Sequence, residues 1–302
     1  MNRKITSVTT KYSDLSNIYV DAGASDDEVL KRIQVYGAVV IKDFCPKEQL
    51  KSLDQDYWTV VDAEEKDRSK YVNAVIEFPG STVMSVLDYK VTAENLPTFH
   101  KIFWSEYMRS IAAKYFSPLK VSLNNTVYVT NDTSNPDQKH ITDWHFDQLH
   151  SLKFYLYLED TNEDNGALQI IPGSHHEAFS RSNCGLMSGL EYFDNKIPEE
   201  QVVNAVNLNA QAGDLIIFDT NCFHRGGRIE PNKIRRVIRG HSHAIRDYNF
   251  KERMIMRWSK SRLNVFRRLE NVKVVGRHVN PEYASQQSST SEVSVDTSTK
   301  RY

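Results

Sequence analysis

A chain of 302 residues with 40% hydrophobic and 25% charged side chains can bury a sizeable core and has the composition of a soluble globular protein. Its formal net charge of −1 lacks the basic surplus that bulk nucleic-acid binding needs, and no run approaches the ~18 apolar residues of a membrane span. Cys45, Cys184 and Cys222 are too few and too scattered for a disulfide framework, and the first residues carry basic groups without the apolar stretch of a signal peptide, so a cytoplasmic setting is expected.

Residues 1–24 are polar and irregular. SDDEVLKRIQVYG then reads as a helix with both ends marked: Ser25 and Glu28 have capping-box spacing, and Gly37 suits the terminal turn. AVVIKDF follows as a strand, and Pro46 opens a second helix through Leu50 and Leu53. Residues 62–93 mix charge, Gly, Pro and short apolar runs and read as a loop region. Pro97 to Phe116 has helical apolar spacing through Phe99, Ile102, Phe103, Tyr107, Ile111 and Tyr115, and Pro118 ends it.

The texture then changes. KVSLNNTVYV, WHFDQL, LKFYLYLED, ALQIIP, VVNAVNL, DLIIFD and RRVIRGHSH are short β-type runs divided by turn residues, which predicts a sheet sandwich or barrel over about 119–245. Residues 180–201 form a long irregular interruption, of the length that functional loops reach. A basic helix is expected from Arg246 to about Leu269, and the Ser/Thr/Gln-rich residues 281–302 are expected to be disordered. The domain reading is a single unit over 25–280 between an irregular start and that tail.

TDWHFDQLHSL carries the chemistry. On an extended chain i and i+2 share a face, so His145 and Asp147 can chelate one ion while Phe146 turns away. His224, just past the apolar strand of DLIIFDTNCFHRGG, is the candidate third ligand. Two imidazoles and one carboxylate with open positions are the facial triad of non-haem iron(II) oxygenases. Spacing alone does not exclude His241 and His243, His175 and His176, His140 or His150, and Cys222 lies two residues before His224. A keto-acid bound to the metal needs a cation for its far carboxylate. Arg235, eleven residues after His224, has the planar fork for that, with Arg236 on the opposite strand parity.

WHFD, DTNEDNGALQIIPGSHH, GDLIIFDTNCFHRGG and RRVIRGHSH, in that order, resemble the phytanoyl-CoA dioxygenase (PhyH) family of iron(II)/2-oxoglutarate-dependent oxygenases. YGAVVIKDFCPKEQL resembles the family's opening helix–strand–helix, so the likeness spans about residues 25–245. It implies a mainly β fold with flanking helices, a cupin-like double-stranded β-helix or jelly roll. It also implies His145, Asp147 and His224 as ligands of Fe(II), 2-oxoglutarate as co-substrate with its C5-carboxylate on Arg235, and O2 as oxidant. Related halogenases have a small residue where Asp147 stands, so the resemblance implies hydroxylation or a related oxidation, with release of succinate and CO2. Gly226 stands where some members supply a hydroxyl to the co-substrate. A second anchor is therefore sought among Lys153, Asn124, Thr126 and Tyr155. Substrate determinants are expected in 62–93, 131–142 and 180–201, with Phe78, Met84, Met187 and Tyr192 lining a site for a small or medium organic molecule. Two rival readings are a zinc hydrolase on the same barrel, which has no use for a buried arginine, and a catalytically silent binding module whose tail and basic helix dock partners.

Overall fold

Ser25 and Gly37 end the first helix as the spacing predicts. In the computed structural model, which describes residues 15–66, 68–135, 140–147, 150–178 and 195–245, a short strand β1 (Tyr19–Asp21) precedes helix α1 (Asp26–Tyr36). Ser25 Oγ accepts from Glu28 N at 3.2 Å, three acidic residues sit in the first turn where the helix dipole favours them, and Gly37 takes the left-handed conformation at φ 82°. Strand β2 (Ala38–Lys42) and helix α2 (Lys47–Lys66) follow, the latter starting just after Pro46 as expected.

Residues 62–93 are not a loop. After the single turn α3 (Arg68–Tyr71) they form the hairpin β3 (Val72–Phe78) and β4 (Ser81–Leu87), closed by Pro79 and by Gly80 at φ 79°. β3 lies at the sheet edge with Asn73, Ala74 and Glu77 exposed, which dilutes the apolar pattern that would have marked it. The helix expected over Pro97–Phe116 is two helices, α4 (Pro97–Phe103) and α5 (Glu106–Phe116). The break falls where Ser105 Oγ accepts from Met108 N at 3.3 Å, starting α5 afresh.

KVSLNNTVYV divides into β5 (Lys120–Leu123) and β6 (Thr126–Thr133) at Asn124, whose φ is 47°. The remaining strands are β7 (Ser151–Tyr157), β8 (Leu168–Ile170), β9 (Val206–Leu208), β10 (Leu215–Asp219), β11 (His224–Gly226) and β12 (Ile234–Ile245). Among the described residues they make two sheets. One runs β1-β2-β10-β7-β12-β6-β4-β3, with β5 also on β12; the other runs β11-β8-β9. This is the jelly roll with flanking helices.

Every residue of β7 is buried, because both of its faces are covered. Leu152, Phe154 and Leu156 point to a core shared with Val29 and Ile33 of α1, Leu53 and Tyr57 of α2, and Phe99, Phe103 and Ile111 of α4 and α5. Tyr155 and Tyr157 point the other way, into a second core with Ile216, Phe218, Val237, Leu168 and Ile170, between the two sheets. A third, smaller core holds Trp144, Phe146, Ala178, Ile197 and Phe223.

These faces correct one expectation about substrate. Met84 is 3% exposed and belongs to the helix-side core, opposite Val129 in the sheet register. It faces away from the space between the sheets. Met84→Ala is expected to cost about 2–5 kcal/mol of stability, as buried Met truncations do, and to leave the Michaelis constant for substrate unchanged. Urea unfolding and steady-state kinetics on the same variant check this. Phe78, half-buried at the end of β3, pairs in register with Ser81. Met187 and Tyr192, most of the 180–201 segment, the basic helix expected from Arg246 and the tail lie outside the described residues.

Candidate metal centre

His145, Asp147 and His224 come together. One ligand atom from each lies within 4.8 Å of the others, and this is the cluster of metal-competent side chains found among the described residues. WHFDQL is not the strand predicted. His145 forms isolated bridges to Lys196 and to His224, and Gln148 and Leu149 lie outside the described residues. The alternation of faces holds nonetheless: Trp144 and Phe146 enter the third core while His145 and Asp147 turn to the opposite side. His145 N donates to His224 O at 3.0 Å and His224 N donates to His145 O at 2.8 Å, so a two-bond backbone rung fixes the separation of the imidazoles.

Each imidazole is oriented from behind. His145 Nδ1 donates to Asp143 O at 2.8 Å and His224 Nδ1 donates to Cys222 O at 2.7 Å, which leaves the Nε2 lone pairs facing Asp147. Asp147 Oδ1 lies 3.7 Å from His145 Nε2 and 3.6 Å from His224 Nε2, and it has no hydrogen-bond partner among the described residues. Adjacent donors on a common ion at 2.0–2.2 Å would lie roughly 3 Å apart, so a small contraction seats a metal. Asp147 Oδ2 accepts from Lys153 Nζ at 2.7 Å.

Electrostatics keeps Asp147 and His224 in their ligating forms. Burial pushes the Asp147 carboxyl up, but the Lys153 ammonium, helped by His224 and His145, outweighs it and holds the group well below the usual carboxylate range. Burial, with the neighbouring His145, takes His224 down to about 3 against the opposing pull of Asp147, so its imidazole is neutral near pH 7. An anionic carboxylate and neutral imidazole, converging with an unpaired carboxylate oxygen between them, fit a divalent transition metal.

Cys222, His175 and His150 are engaged elsewhere. Cys222 is buried on the far side, its Sγ 3.3 Å from Ile171 O and 3.5 Å from Ser174 Oγ, and burial pushes its thiol up to about 12. The parity that placed it beside His224 fails because the chain turns at Asp219–Cys222. His175 Nε2 faces Gln34 O, and His150 pairs with Asp219 Oδ1 at 3.0 Å. His241 lies on β12 in register with Lys153.

Of the proposed anchors, Arg235 lies on β12, 4% exposed, and is already engaged. Its Nε and Nη2 donate to Asp132 Oδ2 at 2.9 and 2.6 Å, and its Nη1 donates to Gly166 O at 2.8 Å. Gly166 sits at φ 83°, and a Cβ there would meet Arg235 Cδ at 3.1 Å. Arg236 points to the helix layer, against Glu159, Asp54 and Tyr57. Asn124 is excluded as an anchor: it is fully buried, its Nδ2 donates to Phe103 O at the end of α4, and its Oδ1 lies against Gly240. Lys153 reaches Asp147. Tyr155 stands edge-on to Phe218 at 5.1 Å, with the Arg239 guanidinium 5.9 Å above its ring. Thr126 starts β6, half-buried, opposite Leu87. The residue that sequence reasoning missed is Asp132. A carboxylate at the inward parity of the buried strand TVYVTNDT was the available signal, since such a group requires a buried cation.

A jelly roll that brings a His-x-Asp pair and a distal histidine to one point has the donor set of a mononuclear non-haem metal site. Residues 33–237 match the family model described as phytanoyl-CoA dioxygenase (PhyH). The chain belongs to the PhyH family. Comparison with curated protein sequences finds no match. Solved structures share the fold at low identity. The epimerase SnoN from nogalamycin biosynthesis, solved in complex with Fe3+, alpha ketoglutarate and nogalamycin RO, is 13% identical over 72% of this chain and 83% of its own, with a TM-score of 0.50. HygX from Streptomyces hygroscopicus, solved with nickel and 2-oxoglutarate bound, is 13% identical over 73% of this chain and 88% of its own, with a TM-score of 0.51. EvdMO1 is 15% identical over 74% of this chain and 51% of its own, also at 0.51. No described helix is long and apolar enough to cross a membrane.

Proposed function

We propose that the protein is an iron(II)/2-oxoglutarate-dependent oxygenase that hydroxylates an unactivated C–H bond of a small or medium organic molecule. The convergence of His145, Asp147 and His224 carries this reading. Membership of the PhyH family supports it, as do the iron or nickel and the 2-oxoglutarate bound in SnoN and HygX. Iron(II) with 2-oxoglutarate and O2 supplies the oxidising chemistry, with succinate and CO2 as co-products.

The chain's own residues do the rest. His145 and His224 would offer their Nε2 atoms from one backbone rung, that of His224 held neutral, and Asp147 would offer Oδ1 as the anionic donor. Lys153 holds Oδ2, which would leave Oδ1 as the oxygen offered to the metal. Arg235, buried on β12, would hold the distal carboxylate of the co-substrate. The apolar walls between the sheets, Phe218 and Ile170 among them, exclude water around the site.

The test is anaerobic addition of Fe(II) and 2-oxoglutarate to the metal-free protein. A visible metal-to-ligand charge-transfer band is expected, and a protein that shows none under any condition does not have this function. Once a substrate is found, a product heavier by one oxygen and stoichiometric succinate identify a hydroxylase. A product of unchanged mass identifies an epimerase-type outcome instead. Metal-dependent hydrolysis supported by zinc alone, without succinate, identifies the hydrolase alternative.

A further inference from the structure

Two buried hydroxyls lie where the proposed co-substrate's tail would end. Thr130 on β6, Val237 on β12 and Tyr157 on β7 stand in one row of the sheet register, and Asp132 and Arg235 form a pair two positions further along on the same face. Thr130 is 1% exposed and Tyr157 is fully buried; Thr130 Oγ1 has no hydrogen-bond partner among the described residues, and the Tyr157 oxygen meets only the backbone N–H of Leu168, which leaves its own O–H without an acceptor there. A buried O–H is normally satisfied, and two without acceptors beside a buried guanidinium point to an acceptor that completes them.

The guanidinium has room for that acceptor. Three of its five N–H groups go to Asp132 and Gly166 O, which leaves two. Asp132 already balances its charge, so an arriving carboxylate adds a net negative charge to a dry site. Neutral O–H donors suit that situation, and they take no cation away from Asp147. The position expected to supply a hydroxyl has no room for one: a Cβ at Gly226 would come within 2.9 Å of Ile141 Cβ. Burial pushes the Tyr157 phenol up to about 12 even though Arg235 opposes it, so the hydroxyl keeps its proton to donate.

We propose that Tyr157 and Thr130 donate hydrogen bonds to the distal carboxylate of 2-oxoglutarate beside Arg235, with Asp132 holding the guanidinium in place for it. This rests on the co-substrate reading above. The ligand class is a 2-oxo acid with a second carboxylate at its far end.

The experiment is an anaerobic titration of the Fe(II)-loaded protein, read by the charge-transfer band. 2-Oxoglutarate is compared with 2-oxopentanoate, which has the same chelating end and no distal carboxylate. Tyr157→Phe is expected to weaken 2-oxoglutarate by roughly tenfold or more, as loss of a hydrogen bond to a charged acceptor does, and Thr130→Val by severalfold. Neither is expected to change the affinity for 2-oxopentanoate or for Fe(II). Unchanged 2-oxoglutarate binding in both variants overturns the proposal while leaving the co-substrate reading intact. Equal weakening of both acids also overturns it, because that marks a disturbed cavity. A wild-type protein without the band sinks the reading beneath it, and the proposal with it. Circular dichroism and thermal melting establish that each variant is folded.

Discussion

Asp147→Ala is expected to abolish succinate formation and the Fe(II)·2-oxoglutarate band together. Losing a group that merely orients a metal ligand costs roughly 10–100-fold in affinity or activity, and removing the one anionic donor of three exceeds that. The alanine variant has a second consequence, because Lys153 is left buried without its carboxylate. Breaking such a pair costs about 3–5 kcal/mol, so low activity alone could reflect an unfolded protein. Asp147→Asn keeps the shape and separates the two effects. It should remain folded and still hold little iron after dialysis, measured by metal content. Acid unfolding of the metal-free protein adds an independent reading. The folded carboxyl titrates below its unfolded value, so its stabilisation is complete above about pH 4 and is lost as pH falls towards the folded pKa. Asp147→Asn should flatten that part of the stability–pH curve. Wild-type iron content in the asparagine variant would remove Asp147 from the site.

Arg235 tests differently because it pairs with Asp132 in addition to its proposed co-substrate role. Arg235→Leu leaves Asp132, fully buried, with the Ser81 hydroxyl against its carboxylate and no cation among the described residues, and should cost about 3–5 kcal/mol. Replacing Asp132 and Arg235 together by leucines removes both charges and should recover most of that stability, since apolar replacement of a buried pair is often neutral or better. 2-Oxoglutarate binding should not return with it. Urea midpoints and the anaerobic titration, run on the single and double variants, give the comparison. A double variant that binds 2-oxoglutarate as wild type does would show that Arg235 is a structural cation only.

The parts of this protein that could be read from sequence are those governed by local rules. Ser25 and Gly37 bound α1 because capping and left-handed turns are decided within a few residues. The parity of His145 and Asp147 against Trp144 and Phe146 survives even though their segment is not a regular strand, because alternation needs only an extended chain. Partners that meet across the sheet are a different matter. Asp132 finds Arg235 through the register of β6 on β12, 103 residues apart in the chain, and no local pattern encodes that meeting. Asn124 was credible as an anchor while it stood on a strand. It is instead the kink between two strands, and its amide belongs to the end of α4. The same limit hid the break at Ser105, where a capping residue lay inside a continuous apolar stripe.

The backbone rung between His145 and His224 has a further consequence for which ion the protein carries. Two of the three donors are mounted before any metal arrives, so capture asks for little rearrangement of the chain. A nitrogen-rich site of fixed span discriminates poorly among first-row divalent ions, whose intrinsic order of affinity places iron(II) below cobalt, nickel and copper. Loading is then decided by supply: protein prepared where heavier congeners are plentiful should emerge mismetallated and inert until it is stripped and refilled.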